Sequence, residues 1–194
     1  VVRYDPEHKE ATRQRIIETA GRRFKLDGIQ GSGVAVLMKD AGLTNGAFYG
    51  HFDSKDDLVA SMLADQLARQ RAQLNELEPG IAGLEQFVLA YLSAGHRDGP
   101  GDGCPSSALL DEISRQGDAI RRAYTDGMSA IIDDLAATLG ASGPEAGRKL
   151  LSAFALMVGA LQMSRAVDDR SLSDDILSRA ATDALTLIRA ISPA

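Results

Sequence analysis

The amino-acid sequence predicts an all-α fold, and three observations carry that prediction. Valine and isoleucine never fall into the alternating run that marks a half-buried strand. Apolar residues recur instead at three- and four-residue spacing, beginning with Ile16, Ile17, Ala20 and Phe24. Turn-forming residues gather in a few short breaks: Asp27-Gly28, Glu78-Pro79-Gly80, Asp98 to Gly103, Gly117-Asp118 and Gly140 to Pro144.

Each helix follows from its boundaries. Asp5 caps the first, with Pro6 at the first helical position and Glu7 in the first turn, and Asp27-Gly28 ends it. Gly31-Ser32-Gly33 opens a short second helix through Val34, Leu37 and Met38. Gly42 can take the left-handed conformation that ends it, and Thr44 can cap the segment after it. Ser54-Lys55-Asp56-Asp57 is a capping box for a long amphipathic helix from Lys55 to about Leu77. A helix from about Gly83 to His96 follows, then the stretch Asp98 to Gly103, too rich in glycine to be helical. Cys104 to Ser114 and Ala119 to Leu139 form the next two. The last two, Glu145 to Val167 and Ser173 to Ile191, are too apolar to bury only one face.

The short second helix, the turn at Gly42 and the segment bearing Phe48, Tyr49, His51 and Phe52 have the spacing of a helix-turn-helix, which sets its second helix in the DNA major groove. The run Ala41-Gly42-Leu43-Thr44-Asn45-Gly46-Ala47-Phe48-Tyr49-Gly50-His51-Phe52-Asp53-Ser54-Lys55 resembles the DNA-binding segment of the TetR (TetR/AcrR) family of bacterial transcription regulators. The resemblance rests on the alanine-glycine-aliphatic-threonine start, the glycine, the tyrosine, the histidine-phenylalanine pair and the serine-lysine pair. It implies a DNA-binding domain over residues 1–58, with three helices, and a ligand-binding and dimerisation bundle over 59–194, about nine helices in all. The DNA-binding positions it implies are Thr44, Asn45, Gly46, Ala47, Tyr49, His51 and Lys55. Tyr49, His51 and Lys55 would hold phosphates, with help from Arg3 and the basic residues nearest the amino end. Asn45, the Ala47 methyl and the preceding helix would read bases. The chain departs from the family pattern at Gly50, Ala47 and Met38, and two glycines within one turn predict a short recognition helix held by its packing.

Charge agrees with that division. There are nine basic against seven acidic residues up to Lys55, and twelve against twenty after it, within a net charge of −6. Phosphate attraction needs a local basic face rather than a basic protein. Membrane insertion is not expected, because no run reaches about 18 apolar residues, and the charged start Val1 to Lys9 does not read as a signal peptide. A single cysteine agrees with a cytoplasmic location.

In the carboxyl-terminal part the family's helix order places Phe87, Tyr91, Leu109, Tyr124, Met128, Phe154 and Met157 around one cavity, suited to a mostly hydrophobic effector oriented by His96, Arg121 and Tyr124. Phe154, Met157, Leu161, Leu177, Ala184 and Ile188 are expected at a homodimer interface formed by the last two helices. A filled core is the competing reading of both sets. Cys104, between the glycine-rich loop and a helix start, offers a second sensing chemistry towards oxidants or electrophiles. Catalysis by Cys104 and His96 lacks an orienting partner and an oxyanion site, and His8, His51 and His96 are too far apart for a metal. No catalytic residue, metal or cofactor is therefore expected. The alternative to a regulator is a helical dimeric interaction protein that binds no operator.

Overall fold

The computed structural model describes residues 6–141 and 144–191, and these fold as nine α-helices and two 3-10 segments, with no strand among the described residues. The first group is α1 (Pro6–Asp27), α2 (Val34–Asp40), a 3-10 segment (Asn45–Gly50) and α3 (Lys55–Asn75). After it come α4 (Ile81–Tyr91), α5 (Ala94–Asp98), a 3-10 turn (Pro100–Asp102), α6 (Pro105–Ser114), α7 (Asp118–Thr138), α8 (Pro144–Ala166) and α9 (Arg170–Arg189). The all-α expectation holds; Arg3 and the expected cap Asp5 lie outside the described residues.

Two boundaries differ from expectation. The helix expected over 83–96 breaks after Tyr91, because the Ser93 hydroxyl accepts from the His96 amide at 3.2 Å and starts α5 afresh. A serine side chain that bonds nearby backbone competes with the helical ladder. The glycine-rich loop is partly helical, since Pro100 presets the backbone angle at the first position of a 3-10 turn.

Two apolar cores share one helix. Ile16, Ile17 and Phe24 of α1, Leu37 and Met38 of α2, Phe48, Phe52 and the α3 residues Leu58, Val59, Met62 and Leu63 form the first. Burying each side chain of this size stabilises the fold by about 1.5–3 kcal/mol. Leu109 and Ile113 of α6 and Ile120 of α7 reach across to complete it. The second core begins one turn further along α3, at Leu67 and Leu74, and takes in Leu84, Val88, Ile131, Leu135, Phe154, Leu161 and Leu177. α3 runs along α7, and α8 along α9.

The six residues expected at a subunit interface are corrected by this packing. Phe154, Met157, Leu161, Leu177, Ala184 and Ile188 are 0–4% exposed within the single chain, because they are the facing sides of α8 and α9 and their contacts with the bundle. The apolar surplus of these helices is nevertheless real. It lies on the outward side, at Leu151 (50% exposed), Ala155, Met163 (60%) and Leu172.

Candidate nucleic-acid interface and adjoining cleft

The first core presents the segment from Thr44 to Gly50 to solvent. Gly42 adopts the left-handed conformation, φ +69°, and the chain reverses after α2 with the Leu43 amide donating to the Met38 carbonyl at 2.8 Å. Thr44 then precedes the 3-10 segment with no capping bond from its hydroxyl, which departs from its expected role and leaves that side chain exposed. Two glycines in six residues, each costing roughly 1 kcal/mol of helix propensity, account for a recognition element one short 3-10 segment long. It is held from beneath. Phe48 is buried, stacks on Phe52 at 5.7 Å and meets the Tyr49 ring edge-on at 5.2 Å. Asn45, Gly46 and Gly50 are exposed, Tyr49 is 72% exposed, and Ala47 is half-buried against the core.

His51 and Lys55 stand differently. The His51 ring is half-buried with Nδ1 enclosed and unpartnered. Burial first, then the charges of Lys9 and Arg13, lowers its pKa and keeps it neutral. Arg13 lies 4.8 Å over the Phe52 ring and donates to the Ser61 hydroxyl at 2.9 Å. The Lys55 ammonium, expected to face outward, donates to the Ile29 carbonyl at 2.5 Å and lies 5.9 Å from the Phe24 ring, so it staples the α1–α2 connection to α3. Ser54 caps α3, accepting from the Asp57 amide at 3.0 Å, while the Asp57 carboxylate accepts from the Asp53 amide at 3.1 Å.

A cleft of about 900 Å³, open to solvent, separates α1 from the body of the chain. Its walls are Glu18, Arg22 and Lys25 of α1, Gln66, Arg69 and Gln70 of α3, Phe87 and Tyr91 of α4, and the segment from Ser93 to Pro105. Of the ten candidate ligand-binding residues, Phe87, Tyr91, His96 and Cys104 line this cleft, and the other six do not. Leu109 is in the first core and Arg121 is exposed. The Tyr124 hydroxyl donates to Ser106 at 3.1 Å, and Met128 packs on the second core. Phe154 and Met157 lie within that core beside a void of only about 10 Å³. Side chains fill the middle of the bundle, so this cleft falls at its junction with α1, and a second open groove of about 700 Å³ runs between α3 and α7, past Ala64, Ala68, Arg122 and Gly127. Sequence reasoning missed the α1 and α3 walls, because a charged helix face carries no signal that separates a cleft from bulk solvent.

The segment from 93 to 107 is fixed on three sides. The Cys104 amide donates to His96 Nε2 at 3.0 Å, which leaves the proton on Nδ1 to donate to the Tyr91 carbonyl at 2.8 Å. His96 is therefore a neutral tie between α4 and α6, and burial lowers its pKa. Arg165 of α8 donates to the carbonyls of His96, Arg97 and Ser107 at 2.8–3.1 Å. From the other side Lys25 of α1 donates to the Gly103 carbonyl at 2.8 Å, Arg22 pairs with Asp102 at 3.3 Å, and Glu112 accepts from the Gln30 amide at 3.1 Å. The Cys104 thiol donates to Gln70 Oε1 at 3.4 Å. Among the described residues no cluster of histidine, cysteine and carboxylates could hold a metal ion, and no helix is long and apolar enough to cross a membrane.

Comparison with known proteins agrees with this geometry. Residues 16–62 match the family described as bacterial regulatory proteins, tetR family. The probable HTH-type transcriptional regulator ArpR of Pseudomonas putida is 38% identical over 85 residues, 41% of this chain and 40% of that protein, so the chain spans about two fifths of its length. The uncharacterized HTH-type transcriptional regulator TtgW of P. putida is 34% identical over 105 residues, 53% of this chain and 71% of that protein. The fold as a whole is similar to the crystal structure of the reduced form of Escherichia coli NemR, with a TM-score of 0.78 and 23% identity over 95% of this chain and 98% of that one. The helix-turn-helix on its buried aromatic base and these similarities together make the chain a member of the TetR/AcrR family of bacterial regulators.

Proposed function

We propose that the protein is a cytoplasmic, homodimeric transcription regulator that represses from a palindromic operator and leaves it when a small molecule binds. The observation that carries the reading is the exposed row of Thr44, Asn45, Gly46 and Tyr49 over a fully packed aromatic core, a rigid polar edge that fits a major groove. Tyr49 positions the protein on phosphate and Asn45 reads a base edge, with Ala47 in methyl contact. The inward staple at Lys55 moves its part from phosphate contact to support of the α1–α2 turn. His51, held neutral, can still donate from Nε2 to a phosphate oxygen.

Dimerisation through the outward sides of α8 and α9, around Leu151, Ala155, Met163 and Leu172, would place two recognition segments about one DNA turn apart, roughly 34–36 Å. Fluorescence anisotropy with DNA from the protein's own upstream region tests the reading: salt-sensitive binding to a two-fold symmetric site supports it, and no preference over random duplex refutes it. A second sensing chemistry is favoured by one observation, that Cys104 lines the cleft, where its thiol donates to Gln70 Oε1. Loss of response to an electrophile in Cys104→Ser, with operator affinity unchanged, would assign the sensor to the thiol.

A further inference from the structure

Glycine is favoured over alanine where the backbone is left-handed, where a neighbour leaves no room for a side chain, or where another molecule must come close to the main chain. Gly42 shows the first reason, with φ +69°, and Gly103 the second, since a methyl group there would run into the His96 ring. Gly50 shows neither. Its φ is not positive, and a β-carbon built on it would meet no heavy atom of the described residues within 4 Å apart from its chain neighbours. It closes the 3-10 recognition segment, where glycine is a poorer helix former than alanine. Freedom to flex is not the gain either, because the Phe48–Phe52 stack holds the segment from beneath. What remains is an approach from outside the chain. Gly50 is exposed between Tyr49, itself 72% exposed, and the half-buried His51. Ala47, three residues earlier and so on the same side of a 3-10 segment, carries only a methyl group.

We propose that Gly50 is a positioning residue for DNA: the sugar–phosphate backbone of one strand packs in van der Waals contact on its bare main chain, while Tyr49 and His51, its neighbours in the chain, bond phosphate oxygens. The missing side chain is what lets both reach. A β-carbon stands about 1.5 Å out from the main chain, enough to stretch hydrogen bonds of roughly 2.7–3.2 Å out of range on both sides. Contact with backbone sets depth and register and carries no sequence information, so Gly50 governs affinity for every duplex alike. This inference rests on the regulator reading above and adds to it which part of the segment the strand touches.

The test compares the whole chain with Gly50→Ala and Gly50→Leu, by thermal melting and by fluorescence anisotropy on duplex from the protein's own upstream region, on single-base variants of it and on random duplex. Alanine and leucine are both good helix formers and differ mainly in bulk. Both variants should melt at or above the wild-type temperature, because the space at position 50 is open. Gly50→Ala should weaken binding about tenfold and Gly50→Leu about a hundredfold, by the same factor on every duplex and with the salt dependence unchanged, since no charge is lost. Wild-type affinity in both variants would overturn the proposal. So would an equal loss in the two, which points to flexibility rather than bulk, a lowered melting temperature in Gly50→Ala, which points to a role inside the fold, or a loss confined to particular base changes. Wild-type protein that prefers no duplex over random sequence would instead refute the regulator reading, and the assignment of Gly50 with it.

Discussion

A methyl group added at Gly127 of α7 would lie 2.6 Å from Leu67 Cδ1 and 2.8 Å from Leu67 Cβ. Carbon atoms rest about 3.5–4.0 Å apart, so α3 and α7 must separate by about 1 Å or Leu67 must leave its rotamer. Leu67 has no free space to enter, being fully buried at the start of the second core. Overpacking of this kind costs about 1–3 kcal/mol, and alanine's better helix propensity offsets about 1 kcal/mol of it. Gly127→Ala should therefore be destabilising by up to about 2 kcal/mol, seen as a fall of up to about 8 °C in Tm. Leu67→Ala alone should cost about 2–5 kcal/mol through the cavity it leaves. In the double variant the added methyl has that cavity to occupy, so the combined loss should be smaller than the sum by about 1–2 kcal/mol. Urea unfolding of the four proteins measures the coupling. A Gly127→Ala protein more stable than wild type, or single effects that add within about 0.5 kcal/mol, would refute close α3–α7 contact as the reason for glycine here.

Other substitutions test the surfaces. Tyr49→Phe should weaken operator binding about three- to tenfold by loss of one hydroxyl contact, equally for all operator sequences, whereas Asn45→Ala should relax preference at particular bases; a sequence-dependent effect of Tyr49→Phe in competition binding would reverse the two roles. Leu151→Glu with Met163→Glu should give a folded monomer by sedimentation, while Ala184→Glu should instead unfold the chain, since Ala184 is fully buried between helices; a folded monomer from Ala184→Glu would restore the interface to the inner face. Because burial holds the folded-state pKa of His96 below its ordinary 6.5, its contribution to stability is complete above pH 6.5 and is lost as pH falls through the lowered value. The fall in unfolding free energy from pH 7.5 to 5.5 should thus be smaller in His96→Gln than in wild type, and an unchanged slope would remove the neutral Cys104–His96–Tyr91 tie.

Local signals reached the fold more reliably than the site. The apolar spacing of Ile16, Ile17, Ala20 and Phe24, the left-handed Gly42 and the cap at Ser54 are each decided within a few residues, and each stands as expected. Ser93 was harder to read, because a serine breaks a helix only when its hydroxyl finds a nearby amide, as it does at His96. Lys55 and the residues of α8 failed for a longer-range reason. Whether a lysine turns outward depends on a carbonyl 26 positions away at Ile29, and whether Phe154 faces a partner or its own core depends on where α9 lies. Periodicity identifies an apolar face but not its occupant.

Leu109, Ile113 and Ile120 have a bearing on how such proteins are recombined. These three come from α6 and α7, more than 40 positions beyond the end of α3's first turns, yet they seal the core under the recognition segment. A head transplanted as residues 1–58 onto a related body would bring Ile16, Phe24 and Leu58 against foreign side chains at these three places, and would also lose Val59, Met62 and Leu63 of its own. Grafts that exchange DNA specificity between relatives should succeed when the donor's head travels through Leu63 together with the matching residues of α6 and α7. Those that cut only after Leu58 should yield a protein with an intact recognition sequence and a loosened platform beneath it.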